Sequence, residues 1–503
     1  MMQRPEPFRD LAWDAERGRE FADRAVDLWQ EFLTALPGLP VGRLLPSDKV
    51  RDAVAIPVPE SPMPDDDLFA YLRSVVFDWS MYPGHPGFMA YVSGPGTVPG
   101  AAADLLAAGL NQNVGGWVLS PAATEIELAL TRFFAQELFG LPKGSGGIIT
   151  SGGSMANFVG LKAARDHKAG WNVRTEGVAG GPRLTMYMSQ ETHIVSERAA
   201  DMLGLGTEQL RKIPVDEHFR VRMDLLREAI VADRSAGMRP FAVVGSAGTV
   251  GTGAVDPMNE LADLCAEEDL WFHVDGAYGG PAVLAPDLRP LFAGIERADS
   301  IAFDPHKWLY TPHSGGCVMV RNMAHLAESF EGDASYVHQD KEYTQRGLDI
   351  GRHGPQFSRS FWALKVWVSL LAHGREAYAR RISHDAELAR YLAARADAHP
   401  SFELISPAVL SICCFRYVPA DLNGDADPGV RDVYLDELNE RLVADIQLDG
   451  RVFPSNAVLN GTHAIRVCIV NFRTEADQLD LLLEVAEELG QKADADLRPQ
   501  ELR

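Results

Sequence analysis

The chain has 503 residues, too many for one compact core, and its 46% hydrophobic and 23% charged content is that of a folded globular protein of two or three domains. Against 70 Asp and Glu stand 47 Lys and Arg, and the resulting charge of -23 repels nucleic acid and anionic lipid, so neither is expected as a partner. The 5 cysteines sit mostly in apolar contexts and read as free thiols of a reducing compartment, with no CxxC or clustered Cys/His spacing to hold a metal. The first residues contain no apolar signal segment and no stretch is apolar enough to cross a bilayer, so a cytoplasmic protein is expected.

In chain order, residues 11–36 place Leu11, Ala22, Val26, Trp29 and Leu33 at helical spacing and end at Pro37 and Gly38. Such an apolar face predicts docking on the main domain or on a second subunit. A Pro-rich stretch follows, and then "SPAATEIELALTRFFAQELFGLP" predicts a helix capped by Ser120, opened by Pro121 and stopped near Gly140. From about 93 to 320, apolar runs alternate with helical ones: strands at 146–150, 185–189, 241–246, 270–274, 300–303 and 316–320. This alternation predicts a mostly parallel α/β sheet, with its ligand site at the carboxyl ends of the strands. Beyond 360, two helices, strands in "FELIS", "AVLSICCFRYV" and "AIRVCIVNF", and a last helix suggest a smaller α+β unit.

Four strand ends carry polar residues. In "IITSGGSMANF", Gly152, Gly153 and Ser154 lie between a strand and a helix, which suits either a phosphate cradle or an ordinary tight turn. In "LWFHVDGAYGG", Asp275 ends an apolar strand and is either the partner of a protonated heterocyclic nitrogen or a cap. In "SIAFDPHKWLY", Lys307 is either a Schiff-base amine or a solvated charge. His193, in "SQETHIVSE", is either a residue stacked on a planar ring or a capping histidine. Each signal is weak alone, but their joint order is far more specific.

At these residues the sequence strongly resembles the pyridoxal-phosphate-dependent group II amino-acid decarboxylases, over about residues 60–480, including "HPGFMAY", "SPAATEIE", "GTVGTGAVDP", "HVDGAYGG" and "DPHKWL". The resemblance implies a fold-type-I, aspartate-aminotransferase-like α/β enzyme. Its parts would be an N-terminal helical segment (1–92) packing on the partner of a homodimer, a large cofactor domain (93–374) and a small C-terminal α+β domain (375–503). It implies pyridoxal 5'-phosphate as cofactor and an amino acid as substrate, bound at a site on the subunit interface. Lys307 is then the Schiff-base lysine, Asp275 the ring-nitrogen partner, Ala277 the small residue against the ring and His193 the histidine on the opposite face. Gly153, Ser154 and His306 would hold the phosphate, with Thr249 near the ring substituents. Tyr336, on a loop at 331–351, matches the family's proton donor, with Tyr343 as a substitute.

The sequence departs from the aromatic amino-acid decarboxylases of animals at Asp304, where they carry Asn, and at Val250, where a second threonine is usual. A carboxylate there sits badly beside a phosphate unless it points away. In the expected substrate pocket, Gly87 and Gly115 replace aromatic residues and His313 replaces phenylalanine, beside Phe88 and Trp117, which predicts an enlarged pocket. No arginine near these segments is expected to bind a side-chain carboxylate, and Arg359 matches a family position near the site. An aromatic L-amino acid is the expected substrate. The alternatives are a decarboxylating oxidative deaminase that releases an aldehyde, a decarboxylase of a non-aromatic amino acid, an aminotransferase and a non-catalytic regulator.

Overall fold

The computed structural model describes residues 11–332, 347–422 and 427–502. The runs between 146 and 320 form β1 (Gly146–Thr150), β2 (Leu184–Ser189), β3 (Leu210–Ile213), β4 (Arg239–Ser246), β5 (Trp271–Asp275), β6 (Ser300–Phe303) and β7 (Gly316–Val320). They make one sheet in the order β1-β7-β6-β5-β4-β2-β3. β2 to β6 are parallel, and β7 is reversed, pairing antiparallel with both β6 and β1. Every residue of β1, β2, β5, β6 and β7 is buried, as strands covered by helices on both faces must be. Helices Gly153–Lys168, Val195–Met202, Met223–Ser235 and Met258–Glu267 supply that cover.

The C-terminal part adds β8 (Phe402–Ser406), β9 (Ile412–Tyr417), β10 (Ser455–Leu459) and β11 (Thr462–Cys468), an antiparallel sheet in the order β10-β11-β9-β8. A second hydrophobic core lies between this sheet and its helices, with Leu435, Leu438, Leu442 and Ile446 of helix Pro428–Asp449 and Leu479, Leu482 and Val485 of helix Ala476–Leu497. Helix Arg375–Asp397 serves both cores: Ile382 and Ala386 pack into the first, Leu388 and Leu392 into the second.

Several elements go beyond the expected set, among them β3, β10 and helices Val98–Leu110, Ala324–Phe330 and Pro428–Asp449. β3 and β10 are short edge strands whose inner residues are partly or fully exposed, so their text shows little apolar alternation. Asp427 caps helix Pro428–Asp449 by accepting from the N–H groups of Gly429 and Val430. Ser120 stands before Pro121 as expected but does not cap: its hydroxyl donates to the carbonyls of Asn113 and Gly116, at 3.0 and 3.3 Å. The first helix spans Ala15–Ala35 and docks partly on its own chain, through Arg17–Asp65 at 2.7 Å and Phe32 against Tyr82.

Candidate active site

The parallel strands bring their carboxyl ends to one edge of the large sheet, and the segments leaving them carry its polar side chains. β2 leads to Glu191 and His193, β4 to Thr249, β5 ends on Asp275 and β6 runs into Asp304, His306 and Lys307. β1 turns through Gly152 into helix Gly153–Lys168, whose first N–H groups face the same space. A cavity of about 960 Å³ opens there, as parallel-sheet topology requires.

Gly153, Ser154, His193, Thr249, Asp275, Ala277, His306, Lys307 and His313 line this cavity, whereas Gly87, Phe88, Gly115 and Trp117 do not. Phe88 stacks on Phe453 in a separate small cluster with Val41 and Ala90. A Cβ on Gly115 would lie 2.2 Å from the carbonyl oxygen of Phe357, and one on Gly87 2.7 Å from that of Arg451. These two glycines therefore admit neighbouring backbone, and within this chain they do not enlarge a pocket. Trp117 is held at the periphery, its backbone N–H donating to Asp349 and its indole to Glu125. Tyr336 and Tyr343 lie outside the described residues.

The Lys307 amine sits 3.0 Å from Oδ2 of Asp304, which is almost fully buried. The other carboxylate oxygen, Oδ1, has no hydrogen-bond partner among the described residues. Asp304 presses on the first residue of helix Gly153–Lys168, where a Cβ on Gly153 would come within 2.6 Å of Oδ2. Only glycine leaves room for this carboxylate. Asp304 thus points at the lysine and at the helix start together.

Asp275 is buried and accepts one hydrogen bond, from the Ala277 N–H at 3.0 Å. Burial pushes its pKa above the ordinary carboxylate value, against the pull of Lys307. A cation placed against it would relieve that cost. His306 donates from Nδ1 to the carbonyl of Gly315 at 2.6 Å, so in the neutral ring Nε2 is an acceptor. His193 accepts at Nδ1 from the Val195 N–H at 3.2 Å, which leaves Nε2–H as a donor. Burial lowers the pKa of both histidines, favouring the neutral rings. Thr249 is buried and closes its own turn, its hydroxyl 3.0 Å from that of Thr252.

Two further residues stand at the site. Arg466, from β11 of the small sheet, reaches the cavity and is almost fully buried. Its Nε donates to the Val250 carbonyl at 2.8 Å and Nη1 to the Tyr91 carbonyl at 3.0 Å, while Nη2 has no partner among the described residues. It comes from outside the segments expected to form the pocket, and its signal was a lone arginine within an apolar strand. Tyr91 holds a positive φ of 57° and leaves its side chain 62% exposed on the cavity wall, a strained backbone of the kind that collects at functional sites. Arg359, in contrast, is spent elsewhere: it is locked with Glu127 in an ion pair almost without solvent access and donates to the Ile149 carbonyl.

These residues fit pyridoxal phosphate: a helix N-terminus with open space at Gly152 and the Ser154 hydroxyl beside it for the phosphate, a buried carboxylate at Asp275 awaiting a cation, and an amine at Lys307 in the same cavity. Residues 48–418 match the model of the pyridoxal-dependent decarboxylase conserved domain. An aromatic-L-amino-acid decarboxylase of Bacillus atrophaeus is 35% identical over 470 residues, covering 93% of this chain and 95% of that protein. A phenylacetaldehyde synthase of Arabidopsis thaliana is 28% identical, covering 91% and 92%. A crystal structure of Oryza sativa TDC with PLP and tryptamine superposes with a TM-score of 0.89 at 27% identity, over 97% of this chain and 99% of that one. The chain belongs to the pyridoxal-dependent decarboxylase family, and pyridoxal phosphate is its cofactor.

Proposed function

We propose that this enzyme removes the α-carboxylate of an aromatic L-amino acid as CO2 and releases the amine. The observation that carries this reading is the meeting of the Lys307 amine, the Asp275 carboxylate and the helix start at Gly153 in one cavity. When bound, pyridoxal phosphate supplies an electron sink for the pair left on Cα as CO2 departs. Ser154 and the N–H groups of the helix start would hold the phosphate, and Asp304, 3.0 Å from the Lys307 amine, positions that amine in the cavity. Asp275 would stabilise positive charge on the ring nitrogen, and Ala277 and Thr249, which line the same cavity, would pack against the cofactor. His193 lines the cavity with Nε2–H free to donate, and with Tyr336 it is assigned to delivering a proton to Cα.

Arg466 is the buried guanidinium available to a substrate carboxylate, and the exposed Tyr91 and Val250 offer a wall for an aromatic side chain. His313 borders the same space, its ring 4.4 Å from that of His306. The similarity to the Bacillus atrophaeus decarboxylase supports an aromatic substrate. A second reading, aldehyde release, is favoured by the likeness to a phenylacetaldehyde synthase. Retention of both His193 and Tyr336 favours the amine.

We further assign the enzyme to the cytoplasm, on its five buried free cysteines, and to a homodimer with the site at the subunit interface, dividing the chain near residues 92 and 374. Helix Val98–Leu110 leaves Leu105, Leu106 and Leu110 about 60% exposed, with Val118 and Leu119 beyond it, a face suited to a second copy. Incubating the purified enzyme with each amino acid and profiling products by mass spectrometry tests the function: amine with CO2 is expected. Aldehyde with hydrogen peroxide would replace the reaction, and failure of borohydride to fix pyridoxyl on Lys307 would overturn the site. Light scattering at a mass near one chain would remove the dimer.

A further inference from the structure

On the outer surface of the large domain, His167, His325 and Glu328 bring one potential ligand atom each within 4.8 Å of one another. We propose that these three side chains form a binding site for a borderline divalent transition-metal ion such as Zn2+, Co2+, Ni2+ or Cu2+. The proposal is independent of the decarboxylation reading.

The geometry comes from two helices. His167 lies in the last turn of helix Gly153–Lys168, and His325 and Glu328 are three residues apart on helix Ala324–Phe330, so they project from the same face. The two imidazoles stand with centroids 4.1 Å apart and tilted by 39°. Neither ring has a hydrogen-bond partner among the described residues, and Nδ1 of His325 is buried without one. Two uncommitted imidazoles held against each other without a shared proton are poorly satisfied by the protein alone; an ion between them would satisfy both.

The surrounding charges favour a cation. Glu328 and Asp299 are the acidic groups facing His325, and the carboxyl end of a 16-residue helix adds its negative dipole end at His167. The nearby cations are engaged: Lys168 pairs with Asp269 at 2.5 Å, and Lys162 and Arg165 with Asp166 at 2.6 and 2.7 Å. Two imidazoles and one carboxylate are a borderline donor set that leaves coordination positions for water, and they suit zinc or its neighbours better than calcium or magnesium. The bound ion would clip the end of helix Gly153–Lys168 to helix Ala324–Phe330.

A reporter is built in. Trp271 is buried beneath the pair, its ring 5.8 Å from His167 and 5.3 Å from His325. The test uses chelator-treated holoenzyme, titrated with ZnCl2 by calorimetry and with CuCl2 or NiCl2 by tryptophan fluorescence. One saturable site per chain is expected, with quenching on Cu2+ or Ni2+ and a raised melting temperature on Zn2+. His167→Ala, an exposed change, and His325→Ala should each weaken binding at least tenfold, Glu328→Gln less, with decarboxylase turnover in the absence of metal unchanged. Absence of saturable binding, or affinity within twofold of the parent in both histidine variants, overturns the proposal. Binding that survives both substitutions would instead lie elsewhere, for instance at the His306–His313 pair in the cavity.

Discussion

Gly153→Ala probes the contact on which the reading of Asp304 depends. The added methyl would stand 2.6 Å from Oδ2 and 3.0 Å from both Cγ and Oδ1 of Asp304, where ordinary contact begins at 3.4 Å. A buried carboxylate must therefore retreat by about 0.8 Å at its nearest atom, and it cannot do so without disturbing its 3.0 Å pairing with Lys307. Overpacking of this kind costs about 1–3 kcal/mol. If that cost falls on the loaded state, cofactor affinity drops by roughly 5- to 150-fold, at 1.4 kcal/mol per tenfold. Fluorescence titration of the apoenzyme with pyridoxal phosphate measures it, with thermal melting of the apo form as the control for folding. Asp304→Ala removes the obstructing group, so the double variant should lose less than the sum of the single losses. Affinity within twofold of the parent for Gly153→Ala, or strict additivity in the double variant, would show that the carboxylate does not occupy the place argued for it.

Asp275→Asn removes the charge that stabilises a ring cation, and kcat should fall by about 10²–10³ in steady-state assays while the protein still binds cofactor. Arg466→Met leaves the Tyr91 and Val250 carbonyls without their donor and the substrate without its cation. A loss of about 10- to 100-fold in kcat/KM is expected, and an unchanged value would take Arg466 out of substrate binding. Glu127→Ala leaves Arg359 buried and unpaired, which should lower stability by about 3–5 kcal/mol in urea denaturation. Asp256 is buried, accepting from the N–H groups of Val221 and Ser246, and burial pushes its pKa up to about 6 from an ordinary 3.8. Between those values the folded state binds the proton more tightly than the unfolded chain, so the contribution of Asp256 to stability rises as pH falls through about 6 towards 3.8. Asp256→Asn should remove this part of the slope, and an identical pH dependence of the urea midpoint in parent and variant would refute the shift.

Much of the large sheet was legible because its strands are buried on both faces: "GGIIT", "SIAF" and "GCVMV" are apolar throughout and bounded by turns. β3 and β10 were not, because edge strands are covered on one side and their text, "LRKI" and "SNAVL", mixes polar with apolar residues. At the site, Asp275, Lys307 and His193 could be picked out because each follows a strand directly, and chain order alone brings the ends of parallel strands to one edge. Arg466 could not: it reaches the cavity across the boundary between two sheets, from a strand some 200 residues beyond Val250, and no local spacing encodes that approach. Gly87 and Gly115 show the converse, since a missing side chain reads as empty space until the backbone of Arg451 and Phe357 is found to occupy it. The sequence by itself determined most strands of the large sheet and the order of the chemical groups, because these follow from local patterning, and its motifs carried the resemblance to the family. Only the tertiary structure decided that Asp304 faces Lys307, that Arg359 is consumed by Glu127 and that Arg466 reaches the cavity, because charges find their partners across space and not along the chain.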